Sequence, residues 1–314
     1  MKILFFGLGS IGKKHARILK DTFDFELYAF RTRNGQETND LDIHEFKKFD
    51  EAFSIKPDVA FITNPTSLHA STALECAKRN IALFIEKPIS HSLENLKELE
   101  KEIKNRKLLS YVAYNLRFHP VIIQLKEMIS EKHKPIYFRV SCCSYLPNWR
   151  PNQDYTKSYS SKKEYGGGVV LDLSHEFDYI NWLFGEIKEI KGFCGKVSNL
   201  KINSEDILDA NVTCKSIHGS LHLDYFTYND ERKIRIYFND EYIEGDLIGN
   251  TIKIIGKKAE EKIIHKKCNP DDIYKKQIEY FFEQYYENNI NMMNNFSEAL
   301  KTFKTIMNFK DDCC

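Results

Sequence analysis

The first chemistry the sequence suggests is phosphate binding. Residues 3–15 read Ile3-Leu4-Phe5-Phe6-Gly7-Leu8-Gly9-Ser10-Ile11-Gly12-Lys13-Lys14-His15, an apolar run passing into the spacing G-x-G-x-x-G. In such a turn Gly7 permits the tight bend and Gly9 lets the backbone approach a pyrophosphate. Gly12 lets the next helix pack closely on the strand, and the helix opened by Ser10 and Ile11 offers N–H groups and partial positive charge. A structural glycine turn is the competing reading. The strand before it and the amphipathic stretch after it (Ile11, His15, Ile18, Leu19) favour the nucleotide.

Three further groups carry chemistry. Lys87, in Glu86-Lys87-Pro88, follows an apolar run and is either a solvated turn lysine or a group beside a cofactor's reactive end. Arg31 and Arg33 flank Thr32 after the second apolar run. An acidic residue there would bind the ribose diol of NAD, whereas arginines suit the 2′-phosphate of NADP; two surface charges are the alternative. Asp172 and His175, at i and i+3, would share one helix face, as an acid–base pair or as a polar stripe in a domain interface.

The elements that must position these groups follow from periodicity. Strands are expected at Ile3–Phe6, Phe25–Phe30, Val59–Thr63, Ile81–Ile85 and Leu108–Ala113. They alternate with helices at Ile11–Lys20, near Asp50, after Asn64–Ser67 and at Leu93–Lys104. That alternation predicts an α/β doubly wound parallel sheet of Rossmann type, with ligands beyond the carboxyl ends of its strands. Thr63, Asn64, Pro65 and His69 fall at one such end. After Pro120 the pattern changes. Strands are expected at Tyr137–Cys142, Val212–Cys214, Ser220–Tyr225, Ile234–Phe238 and Thr251–Ile255, with one helix through Val169–Phe184 and a final helical region from about Ile273 to Met307. This half reads as α+β with a largely antiparallel open sheet. The predicted domains are 1–118 and 119–314.

The composition excludes several classes. The chain has 314 residues, 42% hydrophobic and 29% charged, with a net charge of +1. That length suits about two domains, and so balanced a charge gives no reason to expect nucleic acid or an anionic membrane as partner. The eight cysteines include no C-x-x-C, so no metal site is expected and reduced thiols are. Four apolar residues before Gly7 are too few for a secretory leader. No segment approaches the ~20 apolar residues of a membrane span. The expectation is a soluble cytoplasmic protein.

Several motifs occur in order: G-x-G-x-x-G-x-x-H (Gly7 to His15), T-x-P-x-x-x-H (Thr63 to His69), E-K-P (Glu86 to Pro88), Tyr114-Asn115-x-Arg117-Phe118-x-Pro120, and the Gly166–Gly168 triplet followed by Asp172, His175, Asp178 and Trp182. Together they resemble the glucose-fructose oxidoreductase / inositol dehydrogenase / rhizopine catabolism (Gfo/Idh/MocA) family over essentially the whole chain. The resemblance implies an NAD(P)-dependent oxidoreductase acting on CH–OH groups. It places Lys87 at the nicotinamide and the substrate hydroxyl, and Asp172 and His175 over the reacting carbon. Asn115, Trp149 and Arg150 would lie near nicotinamide and substrate, with Arg117 and Tyr274 as further substrate contacts and Glu86 beside the cofactor. The family spacing D-x-x-x-H is one residue longer than Asp172 to His175, which weakens Asp172 more than His175. Leu171–Glu176 resembles a branch linked to bacterial surface-sugar biosynthesis.

The expected reaction is hydride transfer between nicotinamide C4 of NADP and a carbinol or carbonyl carbon of a sugar or sugar nucleotide, with Lys87 and His175 handling the proton. A non-catalytic NADP-binding sensor or scaffold is one alternative; a reductase of a cyclic imine or other non-sugar carbonyl is another. The polar, tyrosine-rich loop from Pro147 to Lys163 is expected to close over substrate. The open sheet is expected to make a homodimer or homotetramer.

Overall fold

The computed structural model describes residues 1–32, 39–131, 134–258 and 260–313. Its first elements are β1 (Lys2–Phe6), α1 (Ser10–Thr22), β2 (Glu26–Phe30), β3 (His44–Phe46), α2 (Phe49–Ala52), β4 (Val59–Ile62), α3 (His69–Lys78), β5 (Ala82–Ile85), α4 (Leu96–Arg106) and β6 (Ser110–Val112). They are followed by α5 (Pro120–Glu131), β7 (Tyr137–Tyr145), α6 (Val169–Asp172) and α7 (His175–Phe184). Seven strands come next: β8 (Ile187–Gly195), β9 (Ile207–Cys214), β10 (Ile217–Asp224), β11 (Phe226–Tyr237), β12 (Glu241–Asp246), β13 (Thr251–Gly256) and β14 (Glu261–His265). Two helices, α8 (Pro270–Tyr286) and α9 (Phe296–Cys313), end the chain.

Two compact units result. The first joins Met1–Tyr114 to Tyr274–Lys301; the second takes Asn115–Ile273 and the chain from Thr302. The expected division at 118/119 did not anticipate the return of α8 to the first unit. The reason lies in the sheet, whose strands are all parallel in the order β3-β2-β1-β4-β5-β6. Its register sets Phe5 beside Phe61, Phe61 beside Phe84, and Phe84 beside Tyr111. The Phe61 and Phe84 rings stack at 4.3 Å. Phe281 of α8 meets Phe84 edge-on at 5.3 Å, and Phe282 lies over Phe61 at 6.4 Å. One face of a four-strand aromatic row thus needs a cover, and α8 supplies it. Each such ring buries roughly 150–250 Å².

The second unit has a sheet in the order β14-β13-β12-β11-β7-β10-β9-β8, antiparallel except for the pair β7–β10. Strands β3, β8, β12 and β14 lie outside the sequence expectation. One face buries Phe138, Val140, Leu221, Leu223, Ile234 and Ile236, with Phe184 of α7 stacked on Phe138 at 4.5 Å. The alternate residues stand on the other face.

Three ion pairs are sunk into this unit. Arg117 donates through Nε and Nη2 to the two Asp178 oxygens at 2.9 and 2.7 Å, Arg232 pairs with Glu176 at 2.7 Å, and Lys310 pairs with Glu205 at 2.6 Å. The triple glycine serves the same packing: a Cβ on Gly167 would stand 2.2 Å from the Tyr159 carbonyl oxygen, and one on Gly168 would stand 2.2 Å from Glu205 Oε1. Cys194 is disulfide-bonded, which departs from the expectation of reduced thiols throughout.

Removing one member of a buried ion pair strands the other charge, at a cost of about 3–5 kcal/mol. Asp178→Ala is therefore expected to lower the urea unfolding free energy by several kcal/mol, and Arg117→Met with Asp178→Leu to recover most of it. A loss below about 1 kcal/mol in Asp178→Ala would contradict a buried pair.

Candidate active site

The first unit builds a dinucleotide seat. Gly7 has φ +95°, and a Cβ there would lie 2.9 Å from Asn64 Cα. At Gly12 a Cβ would lie 2.7 Å from the Gly7 carbonyl oxygen and 2.8 Å from Thr63 Oγ1. Only glycines allow β1, α1 and the end of β4 to come this close, and Thr63 Oγ1 seals the approach by donating to the Gly7 carbonyl at 2.7 Å. At Gly9, by contrast, a Cβ would meet nothing within 4 Å. Gly9 is the N-cap of α1 and has no side chain to occupy the N–H groups of the first turn, where Ser10 is exposed and Ile11 half-buried. Open space faced by helix N–H donors is what a pyrophosphate needs, so the residues fit the dinucleotide. The seat lies at the β1/β4 point where the strand order reverses.

Two buried histidines tie the next strand end to this seat. His15, one turn beyond Gly12 on the buried face of α1, contacts Glu86 Oε1 through Nε2 at 2.6 Å. The other Glu86 oxygen accepts the Lys87 N–H at 3.2 Å. On the far side of Lys87, His69 Nδ1 lies 2.8 Å from the Pro88 carbonyl oxygen, and its Nε2 lies 2.9 Å from that of Asn64. Burial pushes the His69 imidazole below its ordinary value, against the two carbonyls, which favour a proton on the ring. Asn64 also donates through Nδ2 to Thr72 Oγ1 at 2.9 Å. Glu86, Pro88 and Asn64 are thus fixed from α1 and α3, and the half-buried Lys87 is held by the residues on both sides. Pro65 is exposed on the same loop.

Arg31 donates through Nη1 to Glu45 Oε1 at 2.7 Å, and Lys47 shares that carboxylate at 2.7 Å. Thr32 is exposed beside it, and Arg33 lies outside the described residues. Tyr274, expected at the substrate, is found at the start of α8. It packs edge-on against His15 at 5.8 Å under the Lys14 ammonium at 4.6 Å.

In the second unit a cavity of about 410 Å³ is lined by Trp149, Arg150, Asp154, Tyr155, Lys157 and Tyr159, among others. Arg150 lies over the Tyr159 ring at 5.9 Å, and Trp149 meets Tyr225 edge-on at 5.2 Å. The buried Asp172 accepts from Tyr225 Oη at 2.6 Å. Its charge is the largest cause raising the Tyr159 hydroxyl above its ordinary value; burial raises that of Tyr225, with Asp172 adding to it. Asp172 thereby belongs with Tyr225 and with Tyr159 of the cavity wall. The loop expected to close over substrate is a run of tight 3₁₀ turns at Tyr155–Lys157, Tyr159–Ser161 and Lys163–Tyr165. Ser161 Oγ pins it by donating to the carbonyls of Thr156 and Ser158 at 2.8 and 2.7 Å.

Asp172 and His175 do not share one continuous helix. Asp172 ends α6 and His175 begins α7, with Leu173 and Ser174 forming a turn between them. Here the bonds tighten: Ser174 N–H donates to the Leu171 carbonyl and Glu176 N–H to that of Leu173, both at 3.3 Å. A tightened turn redirects the chain between Asp172 and His175. Arg117, expected at the substrate, is instead 1% exposed and bound bidentate to Asp178. Asn115 is buried at the start of the 3₁₀ turn that carries it. Tyr225 was not foreseen; it lies 53 residues from Asp172, between β10 and β11, where the alternation of Leu221 and Leu223 marks it only as core.

The chain is similar to known proteins. Residues 1–114 match the model of the oxidoreductase family with an NAD-binding Rossmann fold, and residues 122–244 match the GFO/IDH/MocA C-terminal domain. The myo-inositol 2-dehydrogenase of Thermotoga maritima is 25% identical across 96% of this chain and 87% of its own length. The scyllo-inositol 2-dehydrogenase (NAD(+)) of Bacillus subtilis is 26% identical over 62% of this chain and 56% of its own. In fold, the chain is similar to UDP-N-acetylglucosamine 3-dehydrogenase from Acidithiobacillus ferrooxidans (TM-score 0.81, 19% identity, 100% of this chain and 97% of that one). It is also similar to levoglucosan dehydrogenase solved with NADH (TM-score 0.83, 14% identity, 99% and 97%). No helix among the described residues is long and apolar enough to cross a membrane. With both of its domains matched by the family models, the chain belongs to the Gfo/Idh/MocA family of oxidoreductases.

Proposed function

We propose that the protein is an NADP-dependent dehydrogenase or reductase acting at a carbinol or carbonyl carbon of a sugar or sugar nucleotide. The observation that carries this reading is the fixing of Lys87 by the Glu86 and Pro88 contacts, two strands away from the glycine turn with β4 between. A lysine so placed would donate a proton to the developing alkoxide as its ammonium form in reduction, and would accept the hydroxyl proton as its neutral amine in oxidation. The dinucleotide, when bound, supplies the hydride chemistry. Gly9, Ser10, Ile11 and Gly12 hold its pyrophosphate, and Thr63, Asn64, Pro65, His69 and Glu86 shape the crevice. His175 is the second proton-handling group and Asp172 orients the substrate through its tyrosine neighbours. Trp149 and Arg150 contribute stacking and charge. Relatives named inositol dehydrogenases and the fold neighbour named for UDP-N-acetylglucosamine support the substrate class. A cytoplasmic role in bacterial surface-sugar biosynthesis fits that class and the Leu171–Glu176 segment.

A panel of polyols and UDP-sugars with NADPH or NADP tests the reading. Lys87→Met is expected to keep NADPH binding by fluorescence titration while turnover falls about 10²–10⁴-fold. Near-normal turnover would remove Lys87 from the mechanism, and NADPH binding with no reaction across the panel would favour a scaffold.

The NADP assignment rests on Arg31, whose partner Glu45 also holds Lys47 and can release the guanidinium to a 2′-phosphate. Arg31→Ala is expected to lower kcat/KM for NADPH at least tenfold and to leave NADH little changed. A wild-type preference for NADH would overturn the assignment. The polar outer face of the eight-stranded sheet is assigned to a homodimer or homotetramer; light scattering that returns a monomer at micromolar concentration would contradict it.

A further inference from the structure

We infer that the outer face of the second sheet carries a transition-metal site, formed by Cys143 of β7 with His222 and Asp224 of β10 and suited to Zn²⁺. One ligand atom from each of the three residues lies within 4.8 Å of the other two. Strand register explains the meeting. His222 and Asp224 are two residues apart and so stand on one face of β10, opposite the buried Leu221 and Leu223. The parallel pairing sets Asp224 directly beside Cys143, and the antiparallel pairing sets His222 beside Asp209 of β9.

The geometry around the three is ordered in the way metal ligands are. His222 turns Nε2 toward Asp224 Oδ2, at 3.2 Å, and Nδ1 toward Asp209 Oδ2, at 3.4 Å. Metal binding would displace the proton that Nε2 shares with Asp224 to solvent; with the Nδ1 proton held by Asp209, the Nε2 lone pair would then face the ion, the carboxylate–histidine–metal arrangement that fixes tautomer and ring orientation. Asp224 is locked as well. Its Oδ1 accepts the Phe226 and Thr227 N–H groups at 3.0 and 2.9 Å, and its Oδ2 accepts Thr227 Oγ1 at 2.8 Å. Cys143 is buried against them and Cys142 faces away, into the core. Ligand atoms around tetrahedral Zn²⁺ stand at about 2.0–2.3 Å from the ion, so a small side-chain rotation closes the set. Thiolate with imidazole selects Zn²⁺ over Mg²⁺ or Ca²⁺, and three protein ligands leave one position for water. A bound ion would brace β7 to β10, the one parallel pair in that sheet. The site is silent in sequence because its ligands come from strands about eighty residues apart (143 against 222) rather than from a C-x-x-C.

The full chain, reduced and stripped with chelator, is titrated with Co²⁺ and then with Zn²⁺. One equivalent of Co²⁺ is expected to give d–d bands and a thiolate charge-transfer band, both bleached by Zn²⁺, and Zn²⁺ is expected to raise Tm. Cys143→Ser should abolish the charge-transfer band and the Tm gain while keeping the far-UV dichroism of the parent. Asp209→Asn should weaken binding about 10–100-fold, as for other groups that orient a ligating histidine. No saturable binding by the parent chain, or unchanged spectra in Cys143→Ser, would overturn the site. His222→Ala separates the cases further: full retention of the Co²⁺ spectrum there also contradicts it.

Discussion

How closely the backbone passes itself at the ends of β1 and β4 is the constraint on which the first unit depends. Gly12 has no room for a Cβ between the Gly7 carbonyl and Thr63, so α1 can settle on the sheet only with glycine there. That seating does two things at once. It aims the N-terminus of α1 at the open space beside Gly9, and it brings His15, three residues later on the same buried face, onto Glu86. A hydrogen bond to a charged group contributes about 1.5–3 kcal/mol, and leaving such a group buried and unmet costs at least as much. One helix therefore both leaves its N-terminal N–H groups open beside Gly9 and fixes the strand end that carries Lys87. Under the proposed function, substrate chemistry and cofactor binding in this unit would share one mechanical origin.

The second unit is held by a different kind of interaction. Its aliphatic face buries area in the ordinary way, but Arg117–Asp178, Arg232–Glu176 and Lys310–Glu205 are charges taken out of water. Such pairs rarely add net stability over an apolar replacement. Their effect is to punish alternatives: a helix α7 rotated on its axis would strand Glu176 and Asp178 together. The same logic reaches the site, because α7 begins at His175 and α6 ends at Asp172. With α7 locked by two ion pairs, the tightened Leu173–Ser174 turn sets the direction of α6 against α7. Asp172 then finds Tyr225 rather than a helical neighbour.

Much of the first unit was legible from sequence because its signals are local. The glycine spacing, the residues of T-x-P-x-x-x-H and Glu86-Lys87-Pro88 fall at strand ends that short apolar runs already mark. What stayed hidden depends on pairing between distant segments. Nothing in α8 announces that Phe281 and Phe282 cover Phe61 and Phe84, since an amphipathic helix shows an apolar face without naming its partner. The family resemblance places Arg117 at the substrate, and nothing in the sequence pairs it with Asp178, 61 residues on. The break before His175 carries no glycine or proline, the residues that normally punctuate a helix.

A crystal structure of the protein grown with NADPH is the most direct test of the central claim, that the seat built by Gly7, Gly9 and Gly12 and the strand end holding Lys87 serve one cofactor. The account predicts the pyrophosphate against the backbone of Gly9–Gly12, the 2′-phosphate at Arg31 and the nicotinamide ring beside Lys87. A dinucleotide bound elsewhere, or a nicotinamide turned away from Lys87, would contradict it.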